Sequence, residues 1–272
     1  MTNYSLCNVF LWNKKVGTAA WDHERKNAFF EYDPKFKKLG LELAPLMMPL
    51  QGQNIYNFPY LSEETYQGLP GLLADSLPDY FGNQVINAYL LSHGRPENSF
   101  NAIEKLCYMG KRGMGALEFQ PALSRVRKAQ RIEVNELARL AAAILRDRKA
   151  FQASFDDKKS AFHDILQVGS SAGGARPKAV IAWNPETNEV YSGQVDAPAG
   201  FEHWLLKFDS VKDGKSYGRI EYAYYLMARA AGIVMNESRL LQDGDMAHFM
   251  TRRFDRVNGE KIHAQTLCAL AH

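Results

Sequence analysis

In the first third of the chain, apolar residues come in short runs broken by turn residues, the pattern of an antiparallel sheet. Residues 4–12 read as a strand, Asn13-Lys14-Lys15 as a turn, and Val16 to Trp21 as the returning strand. Ala28 to Tyr32 makes a third strand, stopped by Asp33-Pro34. From Gly68 to Asn83 the chain offers two proline-marked helix starts. A helix is expected from Gln84 to Ser92, closed by Gly94 and Pro96. Leu106 to Phe119 combines a glycine-rich bend with a strand-like end, and Leu123 to Gln130 is basic. Between Ile132 and Phe151 the spacing changes. Val134, Leu137, Leu140, Ala141, Ile144 and Leu145 recur at three- and four-residue steps, which predicts an amphipathic helix packed on a core. Ser160 to Leu166 reads as a short helix.

Strand spacing returns at residues 179–183 and 190–195, on either side of the turn Asn184 to Glu189. Phe201 to Phe208 is another strand. Tyr217 to Ala231 is a helix with Ile220, Ala223, Tyr224, Met227 and Ala230/Ala231 on one face, and Gly232 ends it. Glu237 to Leu241 and His248 to Arg253 are strands joined by Asp243-Gly244-Asp245. Asn258-Gly259 is a hairpin signal, and residues 266–272 begin an apolar helix. The fold class is therefore α+β, with antiparallel sheets and helices.

Composition narrows the picture. Apolar residues make up 46% of 272, enough for a sizeable core, and the net charge of +3 is too small to argue for nucleic acid. Cys7, Cys107 and Cys268 are widely spaced and match no metal pattern, which suits a reduced, cytoplasmic setting. No run approaches the roughly 20 apolar residues of a membrane span. The N-terminus does not show the pattern of a signal peptide.

The chemistry concentrates in Val168 to Lys178, Val-Gly-Ser-Ser-Ala-Gly-Gly-Ala-Arg-Pro-Lys, followed at once by an apolar strand. Glycines and serines let a backbone curl so that successive N–H groups face an anion, and Arg176 and Lys178 add positive charge. A flexible surface loop is the bland alternative. Downstream, Lys207 sits inside an apolar strand, and Glu221 lies in the first turn of the next helix. Strand, loop, strand, strand with lysine, helix with glutamate is the layout of a protein-kinase N-lobe. The run fits neither Gly-x-Gly-x-x-Gly nor a Walker loop. Taken singly, Lys207 could snorkel from a sheet edge and Glu221 could simply favour the helix dipole. A second cluster, Gly110-Lys111-Arg112-Gly113, reads better as a structural bend than as a phosphate site.

At several of these places the chain resembles the HipA family, the serine/threonine-kinase toxins of bacterial toxin–antitoxin pairs. The matching residues are Gly71 to Asn83 with its Ala-Asp-Ser-Leu-Pro-Asp core, Gly113 to Leu117 and Ser171 to Lys178. Leu206-Lys207, Glu221-Tyr222 and Arg253-Phe254-Asp255-Arg256 complete the set. The resemblance implies an N-terminal subdomain over residues 1–125 and a kinase-like N-lobe over 126–256. Residues 257–272 would begin a C-lobe. It implies that Gly173, Gly174, Ala175, Arg176 and Lys178 contact a nucleotide, and that Lys207 binds its phosphates with Glu221 orienting it. Arg252, Arg253 and Phe254 would form the adenine-facing hinge, although Arg252 stands where the best-known member is acidic. Ser171, or its neighbour Ser170, falls at the inhibitory autophosphorylation position.

By the same likeness the complete kinase uses ATP and Mg²⁺, and its partner is a HipB-like helix-turn-helix antitoxin through which alone it meets DNA. Its substrate is a protein, an aminoacyl-tRNA synthetase in the best-known case. The family's catalytic Asp and metal ligands lie in the C-lobe, so no catalytic or metal residue is assigned here, and this chain alone is expected to hold no cofactor tightly. One alternative is a non-catalytic module that binds an antitoxin or a complementary C-lobe. An ATP-grasp or sugar-kinase enzyme would need acidic metal ligands that have no evident place.

Overall fold

The strand pattern of the first residues closes into a sheet. In the computed structural model, which describes residues 5–123, 131–146, 176–193, 197–209 and 216–272, β1 (Leu6–Leu11), β2 (Lys14–Asp22) and β3 (Asn27–Tyr32) pair as an antiparallel meander. The first hairpin turns at Trp12-Asn13, one residue ahead of the expected turn, because Lys14 already pairs with Leu11. Both turn residues take positive φ, 48° and 61°, as the tight turn that follows strand twist requires. Asp33 then caps the short helix α1 (Pro34–Lys37), its carboxylate accepting the Lys35 N–H at 2.8 Å. With β4 (Ile55–Tyr56) and β5 (Leu117–Gln120) the sheet order is β4-β3-β2-β1-β5.

Alternation along β1 sends Cys7, Val9 and Leu11 inward. They meet Phe30, Leu72, Leu73, Ile103, Leu106 and Phe119 in one core. Beside α1, this unit carries α2 (Glu63–Tyr66), α3 (Gly71–Ala74) and α5 (Ala102–Met109). Sequence periodicity did not reveal α5, yet its start is written in Asn101 and Glu104. Each side chain bonds the other's backbone N–H at 2.9 Å in a reciprocal cap. The terminal turn, α8 (Leu267–Leu270), lies on α3. Gly71 is needed for that approach, since a Cβ there would stand 2.2 Å from the Ala269 carbonyl oxygen. Asp75, of the Ala-Asp-Ser motif, accepts the Thr266 hydroxyl at 2.8 Å.

A second sheet, ordered β7-β6-β8-β10-β9, is antiparallel throughout. Its strands are β6 (Lys178–Trp183), β7 (Val190–Ser192), β8 (Glu202–Lys207), β9 (Ser238–Asp243) and β10 (Met246–Arg252). One face buries Ile181, Trp204, Leu206 and Met250 against α4 (Tyr80–Ser92) and α6 (Val134–Arg146). Helix α4 begins a turn earlier than expected because Asp79 caps it, accepting the Gly82 N–H at 2.7 Å. Helix α7 (Tyr217–Ala230) packs against β10 and β9 through Gly218 and Tyr225. The apolar face picked out by its periodicity, Ile220, Tyr224 and Met227, is exposed. Gly244 and the Asn258-Gly259 pair turn with positive φ, joining β9 to β10 and β11 (Arg256–Val257) to β12 (Glu260–Lys261).

The chain divides into two compact units: Met1–Leu77 with Phe100–Arg125 and Lys261–His272, and Pro78–Ser99 with Val126–Glu260. The resemblance implies divisions near residues 125 and 256; in space the α4 segment, Pro78–Ser99, belongs with the second sheet, and Lys261–His272, expected to begin a further lobe, belong with the first unit. The expected helix at 160–166 and the basic stretch 124–130 lie outside the described residues. Among those described, no helix is long and apolar enough to cross a membrane.

Candidate functional site

The second sheet places two lysines and a phenylalanine in one row across three strands. Lys207 ends β8, and its cross-strand partners are Lys178 at the start of β6 and Phe249 in β10. Side chains directly opposite one another share a face, so the two lysines stand together. The Lys207 ammonium lies 5.5 Å from the Phe249 ring centre. It forms an ion pair with Glu221 Oε2, one turn into α7. Both side chains are about one-third exposed, at 34% and 29%, so the pair is open to a ligand.

Lys178 is the opposite case. Its side chain is 3% exposed, and its ammonium lies 3.2 Å from Asp79 Oδ2, itself 8% exposed. Burial pulls the Lys178 pKa down, while Asp79 pulls it back up. Burial likewise raises the Asp79 carboxyl, against the Gly82 N–H and Lys178. Arg176, two residues earlier, lays its guanidinium 3.7 Å over the ring of Tyr217, the first residue of α7. Ser170, Ser171, Gly173, Gly174 and Ala175 lie outside the described residues.

The helix that carries Glu221 is held from below by Asp209, two residues beyond Lys207. Asp209 accepts the Ser216 hydroxyl at 3.0 Å and the Gly218 N–H at 3.4 Å. Its own N–H donates to Nδ1 of the fully buried His248 at 2.9 Å. Gly218 allows the contact with β10, because a Cβ there would lie 1.9 Å from the Ala247 carbonyl oxygen. Neither Asp209 nor Asp79 was singled out from sequence. The Lys-Phe-Asp order after a strand and the Pro-Asp helix start were the available signals.

The proposed hinge residues divide. Arg252 is half-exposed and pairs with Glu202 at 3.1 Å. Arg253 turns inward: its guanidinium meets both Asp255 oxygens at 2.8 and 2.6 Å, and Arg256 joins the same carboxylate at 2.9 Å. That side chain is committed to a buried ion-pair knot, and Phe254, next in the chain, is exposed. Arg252 is three residues along β10 from Phe249, roughly 10 Å at strand rise. The structure thus gathers Lys178, Lys207 and Glu221 and leaves the hinge residues apart from them. In the first unit, Arg112 is buried and donates to the Tyr108 and Met109 carbonyls at the end of α5, so the second Gly/Lys/Arg cluster is a helix cap. Among the described residues, no group of three or more His, Cys, Asp or Glu is placed to hold a metal ion.

Two family models match the chain: the HipA N-terminal domain over residues 7–120 and the HipA-like C-terminal domain over residues 170–272. No curated protein matches it. Among solved structures, it is similar to the HipA of Shewanella oneidensis MR-1 in a toxin–antitoxin complex with HipB and operator DNA. The TM-score is 0.57 and the identity 18%. The match covers 95% of this chain and 53% of that one, so the chain spans about half the length of that HipA. At this identity the likeness shows the fold, a mixed arrangement of antiparallel sheets and helices. With one HipA domain model on its first 120 residues and the other on its last hundred, the chain belongs to the HipA family.

Proposed function

We propose that the chain carries the nucleotide-binding part of a HipA-type serine/threonine kinase toxin, with the Lys207–Glu221 pair as the phosphate-binding centre. The observation that carries this reading is the pair itself. A central strand and a neighbouring helix each contribute one half, and both halves are open to solvent. An ammonium held by a single carboxylate keeps a fixed position and can still accept a polyanion, which is how kinases use such a pair. ATP would supply the transferable phosphoryl group. Lys207 would bind its phosphate oxygens, Glu221 would hold the lysine's direction, and Phe249 would cover the stem. Residues Gly173 to Ala175 would add backbone N–H groups, and Arg176 is anchored beside them by Tyr217.

The HipA–HipB–DNA complex of Shewanella supports a helix-turn-helix antitoxin as partner. A protein substrate such as an aminoacyl-tRNA synthetase, and switching by phosphorylation at Ser171, extend the same proposal. The alternative of a non-catalytic module differs in its nucleotide behaviour. Thermal unfolding of the 272-residue chain should therefore shift upward with ATP at millimolar concentration and not with adenosine, because recognition rests on the phosphates. Equal shifts with both, or none with ATP, would count against the phosphate site.

A further inference from the structure

Lys178 and Lys207 are direct cross-strand partners, a placement in which like charges repel. The structure gives each its own carboxylate, Asp79 for Lys178 and Glu221 for Lys207. The pairs differ in burial: 3% and 8% exposed for Lys178 and Asp79, against 34% and 29% for Lys207 and Glu221. The open pair can exchange partners with an incoming anion, and the closed one cannot. Yet they are not independent. Lys178 feels both Lys207, which lowers its pKa, and Glu221, which raises it. The two ion pairs are therefore neighbours, joined through the cross-strand lysines.

We infer that Asp79 is a positioning residue for anion binding at Lys207: by neutralising the buried Lys178 it leaves Glu221 to Lys207 alone. This rests on the reading of Lys207 as the phosphate-binding lysine. Without the Asp79 charge, the Lys178 ammonium would be buried beside a second ammonium. Lys178 then draws Glu221 toward itself, and Lys207 loses its orienting partner, which weakens binding of a polyanion.

Asp79 also caps α4 through Gly82 N–H, but that is separable. Asparagine caps a helix as well as aspartate and carries no charge. Asp79→Asn therefore removes the electrostatic role and keeps the cap. The decisive companion is Asp79→Asn/Lys178→Met, which removes both buried charges and restores Glu221 to Lys207.

The test uses the full chain, ATP as probe, and NMR titration so that weak affinities are read. Asp79→Asn should weaken ATP binding about fivefold or more, a size suited to a partly screened charge effect. The double variant should recover to within about threefold of wild type. In the ATP-free protein, the Lys207 ammonium nitrogen resonance should move in Asp79→Asn and return in the double variant. ATP affinity unchanged in Asp79→Asn, or a double variant no better than the single one, overturns the inference. If wild type fails to bind ATP, the phosphate reading falls. The Lys207 resonance then decides alone, and an unmoved signal in Asp79→Asn overturns the positioning role.

Discussion

Asp255 is fully buried and serves two guanidiniums, Arg253 and Arg256, whose side chains are also nearly sealed from water. Removing one member of such a group strands the opposite charges in a poor solvent. Asp255→Ala should thus destabilise the fold by about 3–5 kcal/mol in urea denaturation; a loss below about 1 kcal/mol, the size of an exposed pair, would show the knot to be a surface feature. Histidines set a second expectation at this scale. Burial holds His248 below its ordinary pKa of 6.5, against the pull of Asp243 and Asp209. His203 is lowered likewise, by burial and by Arg253. A folded state that refuses a proton the unfolded chain accepts is stable above that ordinary value and loses stability as pH falls below it. The urea midpoint should accordingly be lower at pH 5.5 than at pH 7.5, and equal midpoints would contradict these assignments. Residue types told part of this story in advance. Lys207 and Glu221 were legible because a charge inside an apolar strand and another in a helix's first turn are local signals. Asp79 was not, since its partner Lys178 lies 99 residues away and no spacing rule spans that separation.

Elements were legible where their ends carry chemistry. Short apolar runs broken by turn residues marked the strands, with Asn13-Lys14-Lys15 and Asp33-Pro34 in the first sheet and Asn184 to Glu189 and Asp243-Gly244-Asp245 in the second, and period-3.6 spacing marked α6. Helix α5 was lost inside a glycine-rich stretch, although its reciprocal cap stood in plain sight. Helix α7 teaches a different lesson. Its apolar stripe predicted a helix correctly, but the face that packs on β10 is the one with Gly218 and Tyr225. Periodicity reports that a stripe exists and says nothing of what covers it. Gly218 should accordingly matter more than any residue of the stripe. Gly218→Ala forces a Cβ against the Ala247 carbonyl oxygen and displaces the helix that carries Glu221. It should cost about 1–3 kcal/mol as overpacking does, whereas Met227→Ala, at a side chain 65% exposed, should change stability by less than about 0.5 kcal/mol. Reversed sizes would mean that α7 packs through its stripe.

On the scale of the molecule, each unit closes around its own core, the first on Phe30, Leu72 and Phe119 and the second on Ile181, Trp204 and Met250. Only the second carries the lysine row. Its sheet supplies two ammoniums at one level; Asp79, which caps α4, pairs with the buried one, and Glu221 of α7 pairs with the open one. The measurement that bears most directly on this arrangement is the ATP dissociation constant of the full chain beside those of Lys207→Ala and Glu221→Gln. Lys207→Ala should weaken binding at least tenfold, a loss of about 1.4 kcal/mol, and Glu221→Gln should weaken it less, since the lysine remains. ATP bound equally well by wild type and Lys207→Ala would place the phosphates elsewhere on the chain and remove the pair from the site.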